Sequence, residues 1–241
     1  MCTLVLVVPP RGGALQVAAN RDEFLARPAA VPGRWAEGWL APRDLQAGGT
    51  WLGVNASGLF VGVTNRATGA RDPSRRSRGL LVSDALRAPD AASLHRALSG
   101  LDPALHNAFH LAYADGVSAG LTWSDGAVVR QEVLAPGVHV LTEQSLGAGD
   151  DAARRRWIEA EVPRGELLGL EGWLGVLSRH GATPRAGTCV HADAVGYGTR
   201  SAFVFHRAPS AQQSSCAWTE ARPCTSPARD GTGVLRSLGR W

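Results

Sequence analysis

The chain has 241 residues, of which 44% are hydrophobic and 19% are charged, a balance typical of a globular protein rather than a disordered one. Its formal net charge is +4 and all 25 basic residues are arginine, which indicates compositional bias rather than a nucleic-acid-binding surface. The one basic cluster, over residues 71–79, has no interleaved aromatic residue, and no apolar stretch reaches the roughly 18 residues of a membrane span. Neither nucleic-acid binding nor a membrane span is therefore expected.

The length of the chain predicts one domain over residues 1–241, because this many residues can bury one sizeable core. The first residues lack a positively charged start and have an apolar run of only about seven residues, so no signal peptide or lipoprotein anchor is expected. Four cysteines without a CxxC spacing indicate free thiols in a reducing cytoplasm. Cys189, His191 and His206 are poorly spaced for a zinc motif, so neither a metal site nor a cofactor is expected.

The N-terminal residues predict a hairpin. Residues 2–8 are apolar and β-branched, residues 9–13 form a turn rich in Pro and Gly, and residues 14–20 form a second strand. Pairing across that turn sets Cys2 opposite Asn20, within a residue or two. The polar tetrad that follows, "NRDE", therefore lies beside the start of the chain.

Later elements alternate between hairpins and helices. The pattern predicts a hairpin of strands 49–55 and 59–65, helices 77–88 and 90–100, strands 107–114, 118–124, 127–134 and 137–142, helices 150–161 and 164–180, and strands 201–206 and 216–221. Residues 223–241 are predicted to be a loosely ordered tail. Antiparallel hairpins with helices bunched between them predict two stacked sheets flanked by helices.

Cys2 is the candidate nucleophile. The initiator methionine is usually removed before a small residue, and removal would give this cysteine an α-amine with a reference pKa near 7.7–8.0 beside its thiol. Arg21 could stabilise the thiolate and Asp22 could orient the ammonium group. Asn20 or Asn65 could hold the oxyanion of a tetrahedral intermediate. The plainer interpretation is a chance core cysteine beside a solvated turn.

Three long sequence blocks carry a family resemblance: "CTLVLVV…ANRDEFLARP", "APRDLQAGGTWLGVNASGLFVGVTNRA" and "RSRGLLVSDAL". They resemble the NRDE family, also called the transport and Golgi organisation protein 2 family, and the similarity resumes at "GVHVLT" and "CVHADAVGYGTRSAFVFH". The resemblance implies an α+β fold like that of the N-terminal-nucleophile (Ntn) hydrolases, a four-layer αββα sandwich. It also suggests a distant similarity to bile-salt hydrolases and penicillin acylases, which use an N-terminal cysteine nucleophile.

On that resemblance Cys2 would be the nucleophile, with Arg21 and Asp22 as its partners. Asn65 and Arg200 match further active-site positions of the hydrolase group, although Arg200 also fits an ordinary surface arginine at the start of a strand. Trp51, Asn20 and Glu143 are expected to contact substrate, with Trp51 either in the core or in the pocket wall.

Glu143 is a departure from the family, which tends to place an asparagine after "HVLT". An ionised glutamate accepts hydrogen bonds and cannot donate one to an oxyanion. Three alternatives are open: Glu143 is turned away, Gln144 replaces the missing donor, or the hydrolase mechanism is impaired.

Three functions are therefore considered. The first is a hydrolase that cleaves a linear, non-peptide amide through a Cys2 thioester. The second is a non-catalytic protein that binds and traffics haem or a lipid or acyl-CoA ligand in the same cleft, with Cys2, His191 or His110 as candidate iron contacts. The third is a structural or regulatory module with a relict pocket. The expected partner is a small amide or acyl substrate or haem, and the sequence predicts no oligomeric state.

Overall fold

A computed structural model describes residues 2–10, 13–69, 71–147, 149, 151–162, 168–239 and 241. Over these ranges the strands are β1 (Cys2–Val8), β2 (Leu15–Phe24), β3 (Ala29–Arg34), β4 (Leu40–Asp44), β5 (Leu52–Val54), β6 (Phe60–Asn65), β7 (Phe109–Ala114), β8 (Ala119–Ser124), β9 (Val129–Val133), β10 (Gly137–Leu141), β11 (His191–Ala192), β12 (Tyr197–Arg207), β13 (Ser215–Thr219) and β14 (Ala228–Asp230). The helices are α1 (Arg78–Ala85), α2 (Ala91–Leu98), α3 (Ala152–Ala160), α4 (Leu170–Leu177) and α5 (Thr232–Leu238).

The strands form two antiparallel sheets. The first sheet has the order β10-β1-β2-β12-β13-β14, with β11 paired to β12. The second sheet runs from β3 to β9 in chain order. Neighbouring strands that are far apart in sequence, such as β2 and β12, bring the N-terminal and C-terminal parts of the chain together at the centre of the first sheet.

Three apolar clusters pack between the layers of the fold. The central cluster lies between the sheets, where the rings of Phe60 and Phe205 stack with centroids 6.4 Å apart. A second cluster joins α1 and α2 to the second sheet, and a third joins α3 and α4 to the first sheet. The order of layers is helix, sheet, sheet, helix, which confirms the predicted α+β αββα sandwich. No helix in the described ranges is both long and apolar enough to cross a membrane.

The N-terminal hairpin differs from its predicted register by one residue. Cys2 lies opposite Arg21, and Thr3 lies opposite Asn20. The second strand also continues through the polar tetrad to Phe24 instead of ending before it. The reason is that β12 pairs along the far side of β2 over its whole length, so the polar residues are held in a central strand. The predicted turn includes residues 11–12, which lie outside the described residues.

The sequence analysis also missed several strands and a helix. Strands β3 and β4 were not predicted, and residues 223–241, expected to be loosely ordered, contain β14 and α5. Where a helix over 164–180 was predicted, the structure has the shorter α4. Residues 164–167 of the predicted helix lie outside the described residues. Residue 150, the predicted start of the preceding helix, lies outside them as well.

Candidate functional site

A pocket of about 570 Å³ opens at the end of the first sheet where β1 begins. Six of the eight residues singled out in the sequence line it, namely Cys2, Arg21, Asp22, Trp51, Asn65 and Glu143. They come from β1, β2, β6 and the segments that precede β5 and follow β10, so the fold gathers residues more than 120 positions apart. The other two, Asn20 and Arg200, are not among the lining residues.

Cys2 is the first described residue of β1 and is half-buried. Burial raises the pKa of its thiol, and the nearby Asp22 carboxylate raises it further. A hydrogen bond from the Asp22 backbone and the charge of Arg21 act in the opposite direction. Because the net shift is upward, the thiol needs a base to become the reactive thiolate.

Asp22 is 3% exposed and is held by the strand beside it. Its Oδ1 accepts a hydrogen bond of 2.6 Å from Thr199 Oγ1, and its backbone carbonyl accepts one of 3.0 Å from the Tyr197 hydroxyl. Burial raises the pKa of the carboxyl to about 7, Glu143 adds to the shift, and Thr199 and Arg154 oppose it. A carboxyl with this pKa changes charge at neutral pH, which is the range that acid–base chemistry uses.

Arg21 is 5% exposed and packs between an aromatic ring and a carboxylate. Its guanidinium carbon lies 4.2 Å from the centroid of the Trp51 ring, and its Nη2 lies 3.8 Å from Asp44 Oδ2. Burial lowers the pKa of Arg21, while the charges of Cys2, Glu23 and Asp44 raise it. The tryptophan and the carboxylate therefore fix a buried cation at the position opposite the candidate nucleophile.

The Asn20 side chain binds backbone carbonyls and does not line the pocket. Its Nδ2 donates to the backbone carbonyls of Leu177 and Thr188, both at 2.8 Å. These contacts tie β2 to the last residue of α4 and to the segment that follows it. Of the two asparagines considered as oxyanion donors, Asn65 is the one at the pocket, at the exposed end of β6.

Arg200 does not line the pocket, but its side chain binds the backbone of residues that do. Its Nη1 donates to the carbonyls of Leu25, of Arg27 at 3.2 Å and of Phe24 at 3.4 Å. These three carbonyls belong to the end of β2 and the turn after it. The geometry gives Arg200 a role in holding that turn.

Glu143 lies just after β10 and faces the pocket. Its charge contributes to the raised pKa of Asp22, so the two carboxyl groups are close enough to interact. Gln144 is not among the lining residues. Of the three alternatives open from the sequence, a Glu143 turned away from the site does not match this geometry, and neither does replacement by Gln144.

Sequence reasoning missed two supporting residues, Arg154 and Thr199. Arg154 on α3 donates from Nη2 to Thr3 Oγ1 at 2.8 Å and to the Gly187 carbonyl at 2.9 Å, and its charge lowers the pKa of Asp22. Thr199 donates to Asp22 directly. No local motif marks either residue, because their roles follow from the pairing of β2 with β12 and from the position of α3 over the first sheet.

His110, considered as a haem ligand, is fully buried in β7. Its Nδ1 lies 3.0 Å from Thr64 Oγ1 and its Nε2 lies 3.1 Å from the Ser145 carbonyl. Burial lowers the pKa of the ring to about 4. Both nitrogens are already engaged, so the geometry does not favour iron binding at this residue.

The pocket wall is rich in arginine. Seven arginines line it against four acidic residues: Arg21, Arg27, Arg71, Arg75, Arg76, Arg78 and Arg185 against Asp22, Glu23, Asp44 and Glu143. Ion pairs neutralise part of this positive charge, among them the pair of Arg27 with Asp44 at 2.7 Å. The excess of cationic side chains suits a ligand that carries negative charge.

Comparison with solved structures gives the fold. A variant of conjugated bile acid hydrolase from Clostridium perfringens matches with a TM-score of 0.62 at 10% identity, over 96% of this chain and 93% of that one. The Caenorhabditis elegans ortholog of N-acylethanolamine-hydrolyzing acid amidase matches with a TM-score of 0.56 at 14% identity, over 84% and 92%. Penicillin V acylase from Agrobacterium tumefaciens matches with a TM-score of 0.51 at 13% identity, over 95% of this chain and 84% of that one. The chain therefore has the Ntn-hydrolase fold.

Comparison with sequences gives the family. The mouse Transport and Golgi organization 2 homolog is 34% identical over 166 residues, and the human homolog is 32% identical over the same length. Each match covers 61% of this chain and 58% of the relative, so the chain spans less than two thirds of the curated relatives it matches. The family model for Transport and Golgi organisation 2 matches residues 1–164. The chain therefore belongs to the Transport and Golgi organisation 2 family.

Proposed function

We propose that this protein is an amide hydrolase whose nucleophile is Cys2 and whose substrate is a small molecule with a linear, non-peptide amide bond. The observation that carries the proposal is the joint placement of Cys2, Arg21 and Asp22 in one pocket, with the nucleophile and the arginine directly opposite in paired strands. The fold is shared with amide-cleaving enzymes named above, and it supports the proposal at the level of architecture.

The proposed reaction starts when removal of Met1 frees the α-amine of Cys2. The amine takes the thiol proton, and the sulfur attacks the amide carbon to form a C–S bond and an oxyanion. Collapse of this intermediate breaks the C–N bond, and the leaving amine takes the proton from the α-ammonium. Water then attacks the thioester, with the amine again accepting a proton, and releases the acid and the free thiol.

The neighbours of Cys2 have complementary roles in this scheme. The α-ammonium group of the processed Cys2 favours the ionised form of Asp22, which stabilises it in return, and the Arg21 cation favours the thiolate. Asn65 supplies a neutral donor for the oxyanion. Glu143 cannot donate when ionised, so the proposal assigns it to substrate contact and expects slower acylation than an amide side chain at this position would allow.

The substrate is proposed to carry an anionic group, because arginines outnumber acidic residues in the pocket wall. Arg71→Gln should lower kcat/KM for N-acyl amides with a carboxylate or phosphate and leave neutral N-acyl amides unchanged. Arg130→Gln is the matched control, since Arg130 pairs with Asp125 outside the pocket. Equal effects of the two variants on anionic substrates would contradict this part of the proposal.

The hydrolase proposal is tested by intact-protein mass spectrometry before and after an electrophilic amide probe. The expected result is loss of Met1 and one adduct, mapped to Cys2, that Cys2→Ser abolishes and Asp22→Asn slows. Cys216→Ala is the control, because this variant removes a thiol that is buried away from the pocket, and it should keep the adduct. A chain that retains Met1 and does not label at Cys2 would exclude the mechanism.

The position of Glu143 favours a second candidate, a binding protein that uses the same pocket without turnover. A carboxylate facing the pocket opposes an oxyanion but not a bound acyl ligand. In that case a fatty acyl ligand should bind equally well to the wild type and to Cys2→Ser. Titration of both proteins with acyl-CoA and with haem separates this candidate from the hydrolase.

A further inference from the structure

Four metal-binding side chains meet on the side of the first sheet that carries β11. They are His180, which follows α4, Cys189 and His191, which precede the β11–β12 turn, and Cys224, which lies between β13 and β14. One ligand atom from each lies within 4.8 Å of every other. The sequence spacing predicted no metal site, since it offered Cys189 and His191 with His206, and His206 does not belong to this group.

The distances within the group match a tetrahedral site. The two sulfur atoms are 3.5 Å apart, and His191 Nε2 lies 3.5 Å from Cys189 Sγ and 3.3 Å from Cys224 Sγ. Zn–S bonds of about 2.3 Å and Zn–N bonds of about 2.0–2.1 Å give tetrahedral edges of about 3.8 Å for S–S and about 3.5 Å for S–N. The rings of His180 and His191 are in edge contact, 4.6 Å between centroids.

From this geometry we propose that His180, Cys189, His191 and Cys224 bind one Zn²⁺ ion. Two thiolates and two imidazoles form the Cys₂His₂ set that structural zinc sites use, and two thiolates neutralise the charge of the ion. When Nε2 of His191 binds zinc, its Nδ1 carries the ring proton. Asp193 Oδ2 lies 3.9 Å from that nitrogen, and Arg222 Nη1, which also binds Asp193, lies nearer at 3.3 Å. Because a guanidinium group only donates, Asp193 is the group that can accept the Nδ1 proton, and it must approach that nitrogen when zinc binds.

The site is structural rather than catalytic, because four protein ligands leave no open position on the ion. It joins three segments: the end of α4, the approach to β11 and the segment before β14. The Cys189 N–H already donates to the Arg179 carbonyl at 2.9 Å between the first two segments, and Arg222 pairs with Asp193 between the last two, so zinc would add to these links. Thr188 and Thr199 lie in or beside this region, and they hold Asn20 and Asp22 of β2. Zinc would therefore stiffen the support behind Asp22 without touching the pocket.

All four residues lie beyond residues 1–164, the part of the chain that the family model matches. The proposed zinc site is therefore a property of the C-terminal third of this protein. The zinc proposal does not depend on the proposed hydrolysis, since none of its four residues lines the pocket.

The test is the metal content of the full chain, purified without chelator and analysed by inductively coupled plasma mass spectrometry. The expected result is one zinc per chain in the wild type and in Cys216→Ala, the matched control at a buried thiol outside the cluster, and at least a tenfold loss in Cys224→Ala. Replacement of zinc by Co²⁺ should give the visible ligand-field bands of a tetrahedral ion and a sulfur-to-cobalt charge-transfer band.

The cobalt spectrum and X-ray absorption of the wild type keep the test decisive if Cys224→Ala does not fold. X-ray absorption should show two sulfur atoms at about 2.3 Å and two nitrogen atoms at about 2.0–2.1 Å from the zinc ion. Three results would overturn the proposal: less than a tenth of an equivalent of zinc after reconstitution, zinc lost in Cys2→Ala but kept in Cys224→Ala, or a Cys189–Cys224 disulfide in protein purified under reducing conditions.

Discussion

At the scale of single residues, burial shifts the pKa values of two groups, and each shift stabilises the neutral form of the group. The Asp22 carboxyl, 3% exposed, has its pKa raised to about 7, and the His110 ring, fully buried, has its pKa lowered to about 4. The fold therefore favours protonated Asp22 and unprotonated His110. These two shifts predict opposite dependences of stability on pH.

Asp22→Asn should become more stable relative to the wild type as the pH rises from about 4 to about 7. In this range the folded wild-type chain, Met1 included, binds the Asp22 proton more tightly than the unfolded chain, so its stability falls as that proton is lost. The shift of about three pKa units corresponds to at most about 4 kcal/mol. Urea unfolding of both proteins at several pH values measures the difference. A difference independent of pH would show that Asp22 does not titrate in this range.

His110→Gln should resist acid better than the wild type. A folded-state pKa of about 4 means that the unfolded chain takes up the His110 proton first, so wild-type stability present above pH 6.5 is lost as the pH falls toward 4. The loss is at most about 3 kcal/mol for this residue. Thermal unfolding of both proteins from pH 7 to pH 4 measures it. Parallel curves for the two proteins would contradict the assignment.

At the scale of elements, the pocket depends on a close approach of two backbones. Gly49 has a φ of +72°, and a Cβ at this position would come within 2.4 Å of the Gly79 carbonyl in the first turn of α1. The Thr50 backbone N–H donates to the same carbonyl at 3.1 Å. This contact sets where the neighbouring residues Trp51, which follows Thr50, and Arg78, which precedes Gly79, enter the pocket wall.

Gly49→Ala should destabilise the protein by at least about 2 kcal/mol, because the substitution combines an unfavourable backbone conformation with a clash against backbone. Its matched control is Gly33→Ala in β3, where an added Cβ meets no heavy atom within 4 Å and the expected change is within about 0.5 kcal/mol. The midpoint of urea unfolding measures both. Equal midpoints for the two variants would mean that α1 moves away at little cost.

The sequence predicts an element well where its pattern alone decides the structure. Strands such as β1 and β7 are mostly apolar runs. Helix α2 follows the N-cap residue Asp90, whose side chain accepts a hydrogen bond from the Ser93 backbone N–H. The strand β3 was missed because it contains Pro and Gly and is mostly exposed at a sheet edge. The register of β1 on β2 was missed by one residue because β12, far away in sequence, pairs along the other side of β2.

The same distinction applies to the candidate site. The candidate nucleophile Cys2 and its two neighbours on β2 follow from their short separation across a hairpin and from the family blocks. The supporting residues Thr199 and Arg154 come from β12 and α3, and no local pattern reveals such distant contacts. The Cys₂His₂ cluster is the same case, because its ligands are spread over 45 residues of sequence, from His180 to Cys224.

At the scale of the whole molecule, the C-terminal segment completes the sandwich. Strand β14 extends the first sheet, and α5 packs against β13 while contacting β3 and β4 of the second sheet. Leu235 of α5 is fully buried in the central cluster, with Leu238 and Trp241 packed against it. The segment predicted to be a loose tail thus closes one end of the core between the two sheets.

Leu235→Ala should therefore destabilise the whole protein, by about 2–5 kcal/mol, because it leaves a cavity in the central apolar cluster. Val234→Ala, one residue away and 36% exposed, is the matched control and should change stability by less than about 1 kcal/mol. Both variants are compared by urea unfolding followed with two probes, tryptophan fluorescence and far-UV circular dichroism. If α5 belongs to the core, both probes should shift together in Leu235→Ala, since the central cluster joins the two sheets and loses its packing as one unit. A small effect of Leu235→Ala, equal to that of the control, would instead mean that the two sheets hold together without the C-terminal helix.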